Sequence, residues 1–155
     1  MEQHGTLVAI ARRGHSRGAM EELGLTEITL DQGILGDFRG QPGGRQITVL
    51  ALADWQAACT ELGVELPWTM RRANLLVDGL RLRATTDAVL RLGDVVLQIT
   101  GETEPCSRMD EAAAGLCRAL TPDWRGGVCC RVLEGGTVSP QIEVVLKSDA
   151  EPPNR

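Results

Sequence analysis

The chain has 155 residues, enough for one domain around one hydrophobic core. Sixteen basic residues against twenty-one acidic ones give a net charge of −5, which argues against a broad nucleic-acid-binding face. No apolar run approaches the roughly 18 residues of a membrane span. The first apolar stretch, residues 7–11, falls short of the roughly 7–15 residues of a signal-peptide centre, so a cytoplasmic protein is expected.

Eighteen glycines and seven prolines imply many turns. Phe38, Trp55, Trp68 and Trp124 are the only Phe and Trp residues and tyrosine is absent, so the core must be aliphatic. In chain order, residues 7–12 read as a first strand and 12–18 as a loop. The β-branched alternation of 26–30 reads as a second strand. Residues 31–44 hold five glycines and a proline and read as loop. "QITVLA" at 46–51 is a strand with Ile47 and Val49 on one face. Leu52, Trp55, Cys59 and Leu62 then recur at helical spacing, with Gly63 as the stop. "MRRANLLVDGL" gives an arginine pair, a short strand and an Asp-Gly turn. Residues 89–92 and 95–100 flank Gly93-Asp94 as a hairpin. A helix is expected over 107–120, with Met109, Ala112, Ala113, Leu116 and Leu120 on one face and Cys117 at its border. Residues 127–133 and 142–146 read as the closing strands, joined through Gly135-Gly136. This succession of short strands predicts a mainly β protein, a closed or nearly closed β-barrel with a few short helices. Residues 1–148 are read as one domain and 149–155 as a polar tail.

The five cysteines are odd in number, include no C-x-x-C pair, and stand far in sequence from His4 and His15. Disulfides and a structural zinc site are therefore not expected. Cys59 and Cys117 fall on or beside apolar helix faces. Cys129 and Cys130 are adjacent in a strand and must point to opposite sides.

Cys106 stands apart. In "ITGETEPCSRMDE" an alternating run ends at Pro105-Cys106 and a helix signal follows at once. Ser107-Arg108-Met109-Asp110 has the form of a capping box, with the Ser107 side chain expected to accept from the Asp110 N–H. A thiol just before a helix N-terminus, with Arg108 beside it, meets conditions that favour the thiolate. The same residues also suit a small side chain filling a strand end.

Four segments, in order, resemble the MOSC family, the domain at the C-terminus of molybdenum-cofactor sulfurases that also occurs as small stand-alone bacterial proteins. They are "GILGDFRGQPGGRQITVL" (33–50), "RRANLLVDGLRL" (71–82), "LGDVVLQITGETEPC" (92–106) and "RGGVCCRVLEGGTVSP" (125–140). The resemblance implies a β-barrel and points to Cys106 as the residue that ligates molybdenum or carries sulfur. It implies an anionic molybdopterin cofactor, for which Arg45, Arg71, Arg72, Arg108 and Arg131 are the candidate cations and Asn74 a candidate for the pterin edge. Arg71 and Arg72 are expected to face its phosphate from the protein surface. The glycine loop 39–44 offers backbone N–H groups. Two functions follow from the resemblance. One is a molybdenum-dependent reductase of N-hydroxylated compounds, with electrons from a partner protein because no flavin or iron–sulfur motif is present. The other is a non-catalytic sulfur or cofactor carrier serving molybdoenzyme maturation, with Cys106 as a persulfide. The chain is too short for a pyridoxal-phosphate domain.

Overall fold

Residues of alternating polarity fold here into strands whose two faces meet two different apolar environments. The computed structural model describes residues 1–148. The strands are β1 (Glu2–Arg12), β2 (Glu21–Leu23), β3 (Thr26–Thr29), β4 (Gly33–Ile34), β5 (Ile47–Ala51) and β6 (Leu75–Asp78). They continue as β7 (Val89–Leu92), β8 (Val95–Glu102), β9 (Val128–Glu134), β10 (Gly136–Val138) and β11 (Glu143–Lys147). The helices are α1 (Leu52–Leu62), α2 (Met109–Ala112) and α3 (Leu116–Leu120).

Seven strands pair in the order β11-β7-β8-β9-β5-β6-β1, and β1 pairs back to β11, so the sheet closes into a barrel. Strand β2 is added to the far end of β1, and β10-β3-β4 form a small second sheet. Every ring pairing is antiparallel except β5–β6, whose connection runs through α1 and a 3-10 turn at Trp68–Arg71. The expected mainly β closed barrel is thus the observed fold.

The period of two sorts side chains between the barrel interior and the helices outside it. Ile47, Val49, Leu75 and Val77 lie in the barrel core with Leu7, Leu97, Ile99 and Cys130. Leu50 and Leu76 point the other way, into a second core with Trp55, Ala58, Cys59, Met109, Leu116 and Leu120. Trp55 adds a hydrogen bond from Nε1 to the Leu66 carbonyl at 2.9 Å. Each fully buried aliphatic side chain contributes about 1.5–3 kcal/mol, so the interior carries this aromatic-poor fold.

Some elements differ from expectation. Strand β1 starts at Glu2, and β2, β4 and β10 are additional short strands. Gly136 opens β10 and pairs with Ile28, so the Gly135-Gly136 pair leads into the second sheet before β11. The helix expected over 107–120 is two separate turns. Ala113 is extended and Gly115 is left-handed at φ 86°, which breaks the α2 ladder. The polar tail at 149–155 lies outside the described residues.

Gly127, just before β9, sits at φ 95°, and a Cβ there would meet the Val49 carbonyl oxygen at 2.2 Å. Gly127→Ala should therefore lower unfolding free energy by at least about 2 kcal/mol through strain and displacement of β5. A urea titration checks this; an unchanged midpoint would contradict it.

Candidate functional site

Several strand ends lie side by side. Ile10 of β1 is opposite Leu75 of β6, Leu75 is opposite Val49 of β5, Val49 is opposite Val128 of β9, and Val128 is opposite Glu102 of β8. The segments that continue from these strands line a cleft of about 990 Å³. Cys106 lies on its wall with Pro105, Thr103 and Met109. Seven arginines line it, Arg13, Arg17, Arg39, Arg45, Arg71, Arg72 and Arg108, against three carboxylates, Asp37, Glu104 and Glu111. In a chain of net charge −5 this is a local reversal of sign. Arg13 feels it: burial lowers its pKa first, and the neighbouring charges of Arg72 and Arg39 lower it further. Such a concentration of cations raises the local concentration of anions.

Cys106 is the one exposed cysteine of the five. Cys59 is buried in the outer core, and half-buried Cys117 packs against it. Cys130 points into the barrel, where burial pushes its thiol pKa far up. Cys129 is buried as well, with Sγ 3.1 Å from the Thr103 hydroxyl. The local setting of Cys106 differs from the expected capping box. The Asp110 N–H donates to the Ser107 main-chain carbonyl at 3.0 Å, and no side chain caps α2. The Asp110 carboxylate instead accepts the Cys117 N–H at 3.1 Å, tying α2 to α3. Because α2 is a single turn, its dipole is short, and the positive surroundings of Cys106 come from arginines.

The expected ligands divide into three groups. Arg45, Arg72 and Arg108 line the cleft. Arg72 is half-buried and donates from Nη2 to the Gly18 carbonyl at 2.6 Å. Arg71 and Asn74 also line the cleft, but their polar atoms are engaged. Asn74 Oδ1 accepts from the Thr48 N–H at 3.0 Å, and its Nδ2 donates to the Ala11 carbonyl at 3.2 Å. It thereby joins β1 to β5. Arg71 is not the surface residue expected: it is 8% exposed. Its Nε donates to the Gly126 carbonyl at 3.1 Å and its Nη2 to the Thr103 carbonyl at 3.0 Å, with Met109 Sδ 3.8 Å from Nη1. Arg131 does not line the cleft; it is exposed on β9 and bonds Gln98.

Gly126 makes the Arg71 arrangement possible. A Cβ there would lie 2.6 Å from the Thr103 carbonyl oxygen and 3.1 Å from Arg71 Nη2. The glycine loop is held by buried Gln46, whose Nε2 donates to the Leu30 and Gly40 carbonyls and whose Oε1 accepts from the Val132 N–H. Thr100 Oγ1 donates to the Gly44 carbonyl and fixes the other end of that loop. Arg13 and Arg17, in a segment read from sequence only as a loop, belong to the cleft. Their signal was the basic run Arg12-Arg13…Arg17 flanked by glycines.

The sequence and the fold match a known domain. The MOSC domain profile matches residues 33–145. The chain therefore belongs to the MOSC domain family, which is associated with molybdenum-cofactor binding. Its fold is similar to that of the YuaD protein from Bacillus subtilis, with TM-score 0.84 at 16% identity, covering 97% of this chain and 99% of that one. It is also similar to YiiM from Escherichia coli, with TM-score 0.70 at 17% identity, covering 95% of this chain and 72% of that one. YiiM from Geobacillus stearothermophilus aligns with TM-score 0.68 at 14% identity over 93% of this chain and 73% of that one. No curated protein matches the sequence. No helix among the described residues is long and apolar enough to cross a membrane.

The two cleft arginines Arg71 and Arg45 should respond differently to truncation. Arg71→Ala leaves two carbonyls without their charged donor and should cost about 2–4 kcal/mol. Exposed Arg45→Ala should stay within about 0.5 kcal/mol. Thermal and denaturant unfolding of the two variants checks the contrast, and equal stabilities would contradict it.

Proposed function

We propose that the protein binds the molybdenum cofactor in the arginine-lined cleft, with Cys106 as the thiolate ligand to the metal. The observation that carries this reading is the exposed Cys106 thiol on the wall of a cleft with seven arginines and three carboxylates. The donor set fits such a group. Among the described residues, no cluster of three or more His, Cys, Asp or Glu could hold a bare metal ion. A metal held here must bring ligands of its own, as the dithiolene of molybdopterin does, and needs a single thiolate from the protein. Arg45, Arg72 and Arg108 are the cations for the cofactor's phosphate. Asn74 and Arg71, whose polar atoms are already bonded, shape the wall.

Bound there, the cofactor would supply two-electron redox chemistry. The substrate class we favour is N-hydroxylated compounds, whose N–OH takes up two electrons and two protons to give N–H and water. The electrons come from a partner protein that docks at the cleft. The exposure of Cys106 also supports a second reading, a carrier for molybdoenzyme maturation in which the thiol bears a persulfide.

Expression in a cofactor-producing host, followed by molybdenum and pterin analysis, tests both. About one molybdenum and one pterin per chain, lost in Cys106→Ser with an unchanged melting temperature, is the expected result. Apo protein carrying a cyanide-labile sulfur on Cys106 would favour the carrier. Full metal retention in Cys106→Ser would overturn the proposed ligation.

A further inference from the structure

Arg45, Arg72 and Arg108 are the cations of the proposed cofactor, and Arg71 is bonded to main-chain carbonyls. Arg13, Arg17 and Arg39 also line the cleft and serve neither purpose. Among the described residues, none of the three is in an ion pair. No hydrogen-bond acceptor there holds the guanidinium of Arg13 or of Arg39.

Arg13 is nonetheless fixed in place. Its N–H donates to the Asp37 carboxylate at 3.1 Å, and its carbonyl accepts from the Phe38 N–H at 2.8 Å. Its guanidinium lies 5.6 Å from the centroid of the Phe38 ring, a cation–π stack. A cation already ordered in this way loses little freedom when it takes up an anion. The arrangement is unfavourable by itself. Burial lowers the Arg13 pKa first, and the charges of Arg72 and Arg39 each lower it more than that of Asp37 raises it. Like charges held this close repel, and Asp37 offsets only part of the repulsion. A ligand bearing negative charge supplies the remainder.

The surroundings leave room for one. Arg39 stands where the cleft meets an open groove of about 490 Å³ formed by the 38–45 loop. That loop, "FRGQPGGR", contains no carboxylate. An anion between Arg13 and Arg39 therefore meets no fixed negative charge from it.

We infer that Arg13 and Arg39, set in place by Phe38 and Asp37, form an oxyanion subsite that binds a phosphate or carboxylate group carried by the substrate, apart from the cations that hold the cofactor. The identity of the ligand as substrate rests on the reductase reading above; the binding of an oxyanion does not. The substrate class narrows from N-hydroxylated compounds in general to those that carry such a group.

Inorganic phosphate is the probe. It is titrated calorimetrically at low ionic strength into the whole protein purified from a cofactor-producing host, with molybdenum and pterin content measured beforehand. The expected result is saturable phosphate binding that Arg13→Gln and Arg39→Gln each weaken about tenfold, as loss of one charge-assisted hydrogen bond implies. Pterin content should be the same in both variants as in the wild type. Arg131→Gln, on β9 outside the cleft, controls for net charge and should keep the wild-type affinity. Arg39 is exposed, so its variant decides alone should Arg13→Gln not fold. Wild-type affinity in either folded variant overturns the inference, as does an equal loss in Arg131→Gln or the absence of saturable binding. Loss of pterin from Arg13→Gln or Arg39→Gln would assign these arginines to the cofactor's own phosphate and overturn it too. A wild type purified without pterin sinks the cofactor reading alone; the phosphate affinities then still decide whether the subsite exists.

Discussion

The cleft is organised by one hydrogen-bonding group, the buried guanidinium of Arg71. It stands at the end of the 3-10 turn that delivers the chain from α1 to β6, and it reaches across to the ends of β8 and β9. Those two strands are ring neighbours, paired as far as Glu102 and Val128, with one further main-chain bond from the Thr103 N–H to the Gly127 carbonyl at 2.9 Å. Arg71 adds a side-chain connection between the Thr103 and Gly126 carbonyls beside that bond, and Gly126 leaves the space it needs. The position of the exposed thiol therefore depends on a residue that sequence proximity does not link to it. Met109 joins the same group to the outer core, so the helices and the cleft share a wall.

The barrel around this clamp is a division of labour between two apolar compartments. Strands β5 and β6 serve both, with Val49, Leu75 and Val77 inward and Leu50 and Leu76 outward. They are also the parallel pair, which is why α1 and the turn bearing Arg71 must cross outside them. The covering helices are thus a topological consequence of that pairing, and the arginine arrives with them. Polar groups at the junction are satisfied by side chains such as Asn74 and Gln46, and no buried side-chain nitrogen or oxygen lacks a partner among the described residues.

Much of this was legible in the sequence where a local pattern decides the outcome. The stripe Leu52, Trp55, Cys59, Leu62 with Gly63 gave α1, and Gly93-Asp94 gave the β7–β8 hairpin, because each depends on neighbours in the chain. The opposed directions of Cys129 and Cys130 followed from the strand period. The short strands β2, β4 and β10 were illegible because their two or three residues carry no periodicity, and β10 exists through a partner, β3, far away in sequence. The helix over 107–120 looked continuous because its apolar spacing is kept through the break; Gly115 was the available sign. Arg71 looked like half of a solvated pair beside Arg72. Nothing local separates the two: burial of one and partial exposure of the other come from the turn that rotates them apart, with Arg72 left-handed at φ 65°.

Ring closure by β1 and β11 has a kinetic side. Glu2 pairs with Lys147, Thr6 with Glu143, and the amino group of Met1 bonds the Ser148 carbonyl at 2.6 Å. These contacts span nearly the whole described chain, so the loop they close is as long as it can be, and its entropy is lost before any reward arrives. During synthesis the first strand must wait, with its edge unpaired, until residue 147 has emerged. Strand β6 can shield part of β1 in the interval, because it pairs with residues 6–10 and leaves the 2–6 stretch open for the last strand. The nascent protein is therefore an open sheet with two free margins, the 2–6 stretch of β1 and strand β7, and the interval before closure is when those margins are most exposed to pairing with another chain.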